Sequence, residues 1–164
     1  MSLATAYIGL GANLGDTEVT LQQAVDEIAN SAGVQRTVTS QLYRSDPVDA
    51  PGPSYVNAVA RVHTSLAPLP LLALLRQIET KFGRQRHFRN APRTLDLDLL
   101  LYDELAFSTP TLSVPHPRMH VRAFVLKPLI ELTEDGRQLK GRSMSDWLAA
   151  CVDQHCEVLA HQPG

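Results

Sequence analysis

Residues 55–101 read YVNAVARVHTSLAPLPLLALLRQIETKFGRQRHFRNAPRTLDLDLLL. The stretch opens with strict alternation. Val56, Ala58, Ala60 and Val62 share one face, and Tyr55, Asn57, Val59 and Arg61 the other, which is the period of a strand. Pro68 and Pro70 then open a helix with Leu71, Leu75, Ile78 and Phe82 as its apolar stripe, Glu79 beside that stripe and Gly83 as its end. Beyond an arginine-rich segment, Leu95, Leu97 and Leu99 alternate with Asp96 and Asp98. That pattern predicts a second strand with one apolar and one acidic face.

The same order precedes this unit. Residues 4–10, ATAYIGL, read as a buried strand, followed by a turn over Gly11–Asp16. Leu21, Ala24, Val25, Ile28 and Ala32 recur at helical spacing, with Asp16 or Thr17 as N-cap and Gly33 as stop. Val34–Tyr43 is rich in β-branched residues and reads as a strand. Ser45–Ser54, SDPVDAPGPS, is a long irregular loop of the functional type. Downstream, Ser108–His120 is irregular, and Arg122–Leu132 is apolar and helix-like, with Pro128 expected to interrupt or bend it. A last helix is expected over Ser145–Gln154, with Met144, Trp147, Leu148 and Cys151 as core. Two β-α-β halves and a mostly helical tail imply an α+β ferredoxin-like sandwich. Its sheet would be mainly antiparallel, with helices on one face and the other open for ligand, in a single domain over residues 1–164.

The 164 residues are 44% hydrophobic and 20% charged, with a net charge of −2. That balance does not suit a chain that coats nucleic acid or an anionic membrane. No apolar run reaches the ~18 residues of a membrane span, and the N-terminus lacks a signal-peptide pattern. Cys151 and Cys156 fit no metal or redox spacing and read as reduced thiols of a cytoplasmic protein.

Against this background Arg84, Arg86, Arg89 and Arg93 form a local basic patch directly ahead of Asp96 and Asp98. Side chains at i and i+2 of a strand lie roughly 6.5–7 Å apart on one face. Carboxylates so placed can hold divalent cations, and the arginines can hold the polyphosphate that accompanies them. The plainer reading is a solvated strand edge. Glu79 and His116 add to the metal-and-phosphate reading, which needs no P-loop, and the chain has none. Gly9-Leu-Gly11-Ala-Asn-Leu-Gly15 is one residue too long for a dinucleotide fingerprint. It reads instead as a strand-to-helix turn organised by Asn13. Tyr55 and Asn57, on one strand face, suit a flat hydrogen-bonding heterocycle. His116 and His120 cannot share a helical zinc site, because Pro115 and Pro117 flank His116.

Together these motifs resemble the 6-hydroxymethyl-7,8-dihydropterin pyrophosphokinase family. The resemblance rests on Asn13 in GANLGD, Tyr43-Arg44-Ser45, Tyr55-Val56-Asn57, Ile78-Glu79 with Gly83-Arg84, PRTLDLDLLLY (Pro92–Tyr102), VPHPRM (Val114–Met119) and Arg122-Ala123-Phe124. It runs from about residue 4 to about residue 132. It implies transfer of pyrophosphate from ATP to the pterin hydroxymethyl group, with release of AMP and two Mg²⁺ ions taking part. By that likeness Asp96 and Asp98 hold the metal, and Arg84 and Arg93 are catalytic-loop arginines. Glu79, Arg86, His116 and Arg122 match ATP-site positions. Tyr55, Asn57 and Phe124, with the backbone of Ser45, Pro47 and Val48, match pterin contacts. The partners implied are ATP and the pterin, with no nucleic acid and no membrane, for a monofunctional monomer.

The chain departs from the family pattern at Asn90, where many members carry tryptophan, at Asp49, where relatives have glycine, and at Thr111, where some have a basic residue. Two other classes share parts of the pattern. An RNA-binding ferredoxin-like module would be more basic and more aromatic than this chain. A D-x-D nucleotidyl- or glycosyltransferase would differ in the nucleotide it releases.

Overall fold

The computed structural model describes residues 2–13, 15–46, 54–83, 95–134 and 136–159. The elements in chain order are β1 (Ala4–Ala12), α1 (Thr17–Ala29), β2 (Val34–Thr39), β3 (Tyr43–Ser45), β4 (Tyr55–Thr64), α2 (Pro68–Lys81) and β5 (Asp96–Tyr102). After them come β6 (Phe107–Ser108), β7 (Ser113–Val114), a 3-10 turn (Met119–Val121), α3 (Ala123–Leu132), β8 (Gln138–Leu139), β9 (Arg142–Ser143), α4 (Met144–Ala149) and β10 (Cys156–Val158). The main sheet runs β10-β3-β4-β1-β5, with β2 also on β4, and all its pairs are antiparallel. The order β5-β1-β4-β2 is that of the expected ferredoxin-like sandwich.

Alternation in β4 decides the layering. Val56, Ala58, Ala60 and Val62 join Ile8, Leu10, Leu97 and Leu99 in a core closed by Leu21 and Ile28 of α1 and by Leu71, Leu75 and Ile78 of α2. Asp16 caps α1, its carboxylate accepting from the Val19 N–H at 3.3 Å. Each such leucine or isoleucine contributes about 1.5–3 kcal/mol by leaving water. A second core lies on the opposite face, where Tyr7, Val59 and Leu100 meet Met119, Leu126 and Leu129. A bulge between Tyr7 and Ile8 sets Leu99 opposite Ile8 and Leu101 opposite Tyr7. Leu100, the extra residue, faces the second core by alternation and the bulge brings Leu101 to the same side, so the whole Leu99–Leu101 run is buried. Helices α3 and α4 cover only part of this second face, and a cleft remains at the end of the sheet that carries Gly9, Gly11, Asp96 and Asp98.

Three segments differ from their sequence pattern. Val34–Tyr43 is two strands along one edge of β4. Thr39 lies opposite Ala60 and Tyr43 opposite Asn57, so four steps on one side meet three on the other. Ser40 sits in the gap, its N–H on the Val59 carbonyl and its hydroxyl accepting the Val59 N–H, both at 2.9 Å. Pro128 lies inside α3, which continues through it. The tail is not mostly helical. Ser143 caps α4 through the Asp146 N–H, the helix ends at Ala149, and Cys156–Val158 returns as a sheet edge paired with β3. Cys151 and Cys156 are free and buried, and burial raises both thiol pKa values. Among the described residues no helix is long and apolar enough to cross a membrane.

Candidate active site

The cleft has a volume of about 490 Å³, within the ~300–1,000 Å³ range of small-molecule sites. Its floor follows from strand register. Asp96, Gly11, Asn57 and Tyr43 lie opposite one another on β5, β1, β4 and β3, and Asp98, Gly9 and Val59 form the adjacent row. Residues directly opposite project on the same sheet face. Asp96 and Asp98 therefore stand on one side of a strip floored by glycine, and Asn57 stands on the other. At strand spacing the acids and the amide are about 9–10 Å apart across the sheet. One end of the cleft is anionic, and the other offers amide, aromatic and hydroxyl groups.

The glycines do not form the expected turn. Gly9 and Gly11 belong to β1, and among the described residues of GLGANLG only Gly15, at φ 68°, takes the left-handed conformation. Asn13, expected to organise that turn, has a buried Oδ1 with no hydrogen-bond partner among the described residues. Gly11 allows a close approach, because a Cβ there would lie 3.0 Å from Asn57 Nδ2 and the amide would have to shift to accommodate it. Gly11→Ala is expected to push the Asn57 amide aside and weaken binding at that end of the cleft about tenfold, a cost of one displaced hydrogen bond. Affinity for a nucleotide at the acidic end should stay unchanged, and titration of each ligand separately measures the difference.

Asn57 is 4% exposed and held in one orientation. The buried Ser45 hydroxyl donates to Asn57 Oδ1 at 2.7 Å, so Nδ2 is the group turned towards Gly11 and the cleft. Ser45 lies opposite Tyr55 across β3 and β4, and both line the cleft. Phe124 lines it from α3, with the Arg122 guanidinium 5.5 Å from its ring centroid, a cation–π distance.

His116 follows the cis Val114–Pro115 bond. Its N–H donates to the Leu100 carbonyl at 2.9 Å, and its Nδ1 accepts the Arg118 N–H at 3.1 Å. The neutral ring is thereby protonated on Nε2. Burial lowers its pKa below the usual histidine value; Asp98 opposes that shift, and Arg122 and Arg118 add to it.

Glu79 is placed differently from the other expected ATP-site residues. It is 1% exposed and does not line the cleft. Its Oε2 accepts the Leu97 N–H at 2.8 Å, and its Oε1 pairs with Arg76 Nη1 at 2.8 Å. Arg76 Nη1 also donates to the Leu97 carbonyl at 2.9 Å. Leu97 is the residue between the two aspartates, and its peptide groups face the open edge of β5. Glu79 and Arg76 stand there in place of a neighbouring strand.

The cleft thus brings together Ser45, Tyr55, Asn57, Asp96, Asp98, Arg122 and Phe124. His116 adjoins Asp98 and Arg122 electrostatically. Arg84, Arg86, Arg93, Pro47 and Val48 lie outside the described residues, as do Asp49 and Asn90. Arg118, Asp46 and Gln154 also line the cleft and were not singled out from sequence. Arg118 lies within the VPHPRM motif, a usable signal, whereas Gln154 carries none.

The sequence model of the 7,8-dihydro-6-hydroxymethylpterin-pyrophosphokinase family matches residues 7–134. A Pseudomonas aeruginosa protein named 2-amino-4-hydroxy-6-hydroxymethyldihydropteridine pyrophosphokinase is 45% identical over 154 residues, 93% of this chain and 95% of that protein. A Bacillus subtilis protein of the same name is 45% identical over 130 residues, 79% of this chain and 78% of its own length. Among solved structures, an HPPK-DHPS in complex with substrates superposes at a TM-score of 0.73 with 11% identity. The match covers 93% of this chain and 44% of that one, and shows a shared fold. The chain belongs to the 7,8-dihydro-6-hydroxymethylpterin-pyrophosphokinase family.

Proposed function

We propose that this chain transfers pyrophosphate from ATP to the hydroxymethyl group of 6-hydroxymethyl-7,8-dihydropterin, releasing AMP, in folate biosynthesis. The observation that carries the reading is the glycine-floored strip, with a paired-carboxylate end and a hydrogen-bonding aromatic end in one cleft. The pterin takes the second end. Asn57 Nδ2 donates to its ring edge, and Tyr55 and Phe124 supply apolar contact.

The triphosphate lies over Asp96 and Asp98. Among the described residues no group of three or more His, Cys, Asp or Glu is placed to hold a metal. Two carboxylates fit Mg²⁺ nonetheless, because that ion commonly takes one or two carboxylates and completes its shell with substrate phosphates and water. Asp96 and Asp98 would hold two such ions, which when bound neutralise charge on the phosphate oxygens. Arg84, Arg86 and Arg93, near Asp96 in sequence, grip the phosphates, joined by Arg122 and the Nε2–H of His116. The pterin hydroxyl oxygen forms a bond to the β-phosphorus as its O–H bond breaks, and the proton passes to solvent water. The bond from that phosphorus to the bridging oxygen breaks, and AMP leaves with that oxygen. The protein's part is orientation and charge compensation.

The purified chain with Mg²⁺, ATP and the pterin should yield AMP and the pterin diphosphate in equal amounts. ADP as the nucleotide product, or no pterin-dependent turnover, would refute the assignment.

A further inference from the structure

The Gln154 side chain spans the segment that aims Arg122 and Phe124. Its Oε1 accepts the Ala123 N–H at 2.8 Å, and its Nε2 donates to the Val121 carbonyl at 2.7 Å. These two peptide groups flank Arg122, which is extended at φ −120° and ψ 110° and begins α3 with no side-chain cap of its own. Gln154 supplies that cap from 31 residues away and pairs with the extended segment as a neighbouring strand would. The loop carrying it is itself held, since the Gln154 N–H donates to the Cys151 carbonyl at 3.0 Å. Gln154 lies beyond residues 7–134, where the family match ends.

We infer that Gln154 is a positioning residue that holds Arg122 and Phe124 in their binding orientation through the Val121 carbonyl and the Ala123 N–H. The inference rests on the function proposed above. Two hydrogen bonds on the peptides either side of Arg122 fix its backbone, and with it the direction in which its side chain leaves the chain. Without them the segment still packs on α4, with His120 against Trp147, but the peptides flanking Arg122 lose both bonds that fix them. Arg122 and Phe124 then sample other directions, and each ligand must reorder them on binding.

The test uses Gln154→Met, which keeps the side chain's length and removes both hydrogen bonds, and Gln154→Glu, which keeps only the acceptor for Ala123. Gln154→Met should raise KM for both ATP and the pterin about five- to tenfold, the effect of about one lost hydrogen bond. kcat should fall less than about twofold, because no reacting group is removed. Amide exchange at Ala123 should quicken in Gln154→Met and stay slow in Gln154→Glu, whose KM values should be intermediate. Unchanged KM values in both variants, with wild-type turnover intact, would overturn the inference, as would slow exchange at Ala123 in Gln154→Met. Should Gln154→Met fail to fold, wild-type KM values in Gln154→Glu would overturn it alone. Should the wild-type chain make no AMP, the proposed reaction fails by itself, and exchange at Ala123 still reads out the clamp.

Discussion

Asp96→Asn and Asp98→Asn are each expected to lower turnover by roughly 10²–10³-fold or more, the scale of losing one charge-stabilising group at a phosphoryl centre. Both carboxylates lie half-buried on the cleft face of β5, while the strand is anchored by Leu97 and Leu99 on the opposite face. Either exchange therefore leaves the core untouched, and thermal midpoints should stay within a few degrees of wild type. Metal-dependent ATP binding should disappear, whereas pterin affinity, proposed to rest on Asn57, Tyr55 and Phe124 across the glycine strip, should persist. Calorimetric titration of ATP with and without Mg²⁺ separates these effects. Wild-type ATP affinity in both variants would contradict the assigned role.

Glu79→Ala is expected to have the largest effect on stability. Its carboxylate is buried and accepts the Leu97 N–H. Removal leaves that amide, on a residue that is itself buried, without its partner, a cost of about 1–3 kcal/mol. Arg76 also loses its partner, but its side chain is 47% exposed, so water takes over much of that role. For a chain of this size the loss corresponds to a fall in Tm of roughly 3–10 °C. Because Leu97 separates the two aspartates, loosening it also disturbs their spacing. Mg²⁺-dependent ATP binding should weaken more than pterin binding. Glu79→Gln, whose amide oxygen can still accept from Leu97, should recover most of both losses. Equal stability of Glu79→Ala and wild type in thermal unfolding would show that Leu97 is not held in this way.

Legibility in the sequence followed the range of each interaction. β4 runs Tyr55–Thr64 and α2 Pro68–Lys81, as alternation and the proline–glycine brackets indicate, because both signals are local. The helix over Ala123–Leu132 was legible only in part: the apolar run suggested a helix, but Pro128 was expected to interrupt or bend it, and α3 continues through that residue. β10 was not legible. Three residues carry no usable period, and their strand character comes from β3, which lies far away in the chain. The same holds for Glu79. Its position in the motif associated it with ATP, but only the packing of α2 against β5 turns its carboxylate onto Leu97.

By itself the sequence determined the α+β class, the acidic face of Asp96 and Asp98, the pairing of Tyr55 with Asn57 on one strand face, and the family. The two strand-face patterns are encoded by residues a few positions apart, and the class and family by the order of such short signals along the chain. The tertiary structure alone decided that Gly9 and Gly11 floor the gap between the acids and Asn57, that Ser45 orients Asn57, and that Gln154 caps α3. Those relations depend on strand register and on side chains reaching across the fold. Register is set by burying the apolar face of every strand at once, which no single segment specifies.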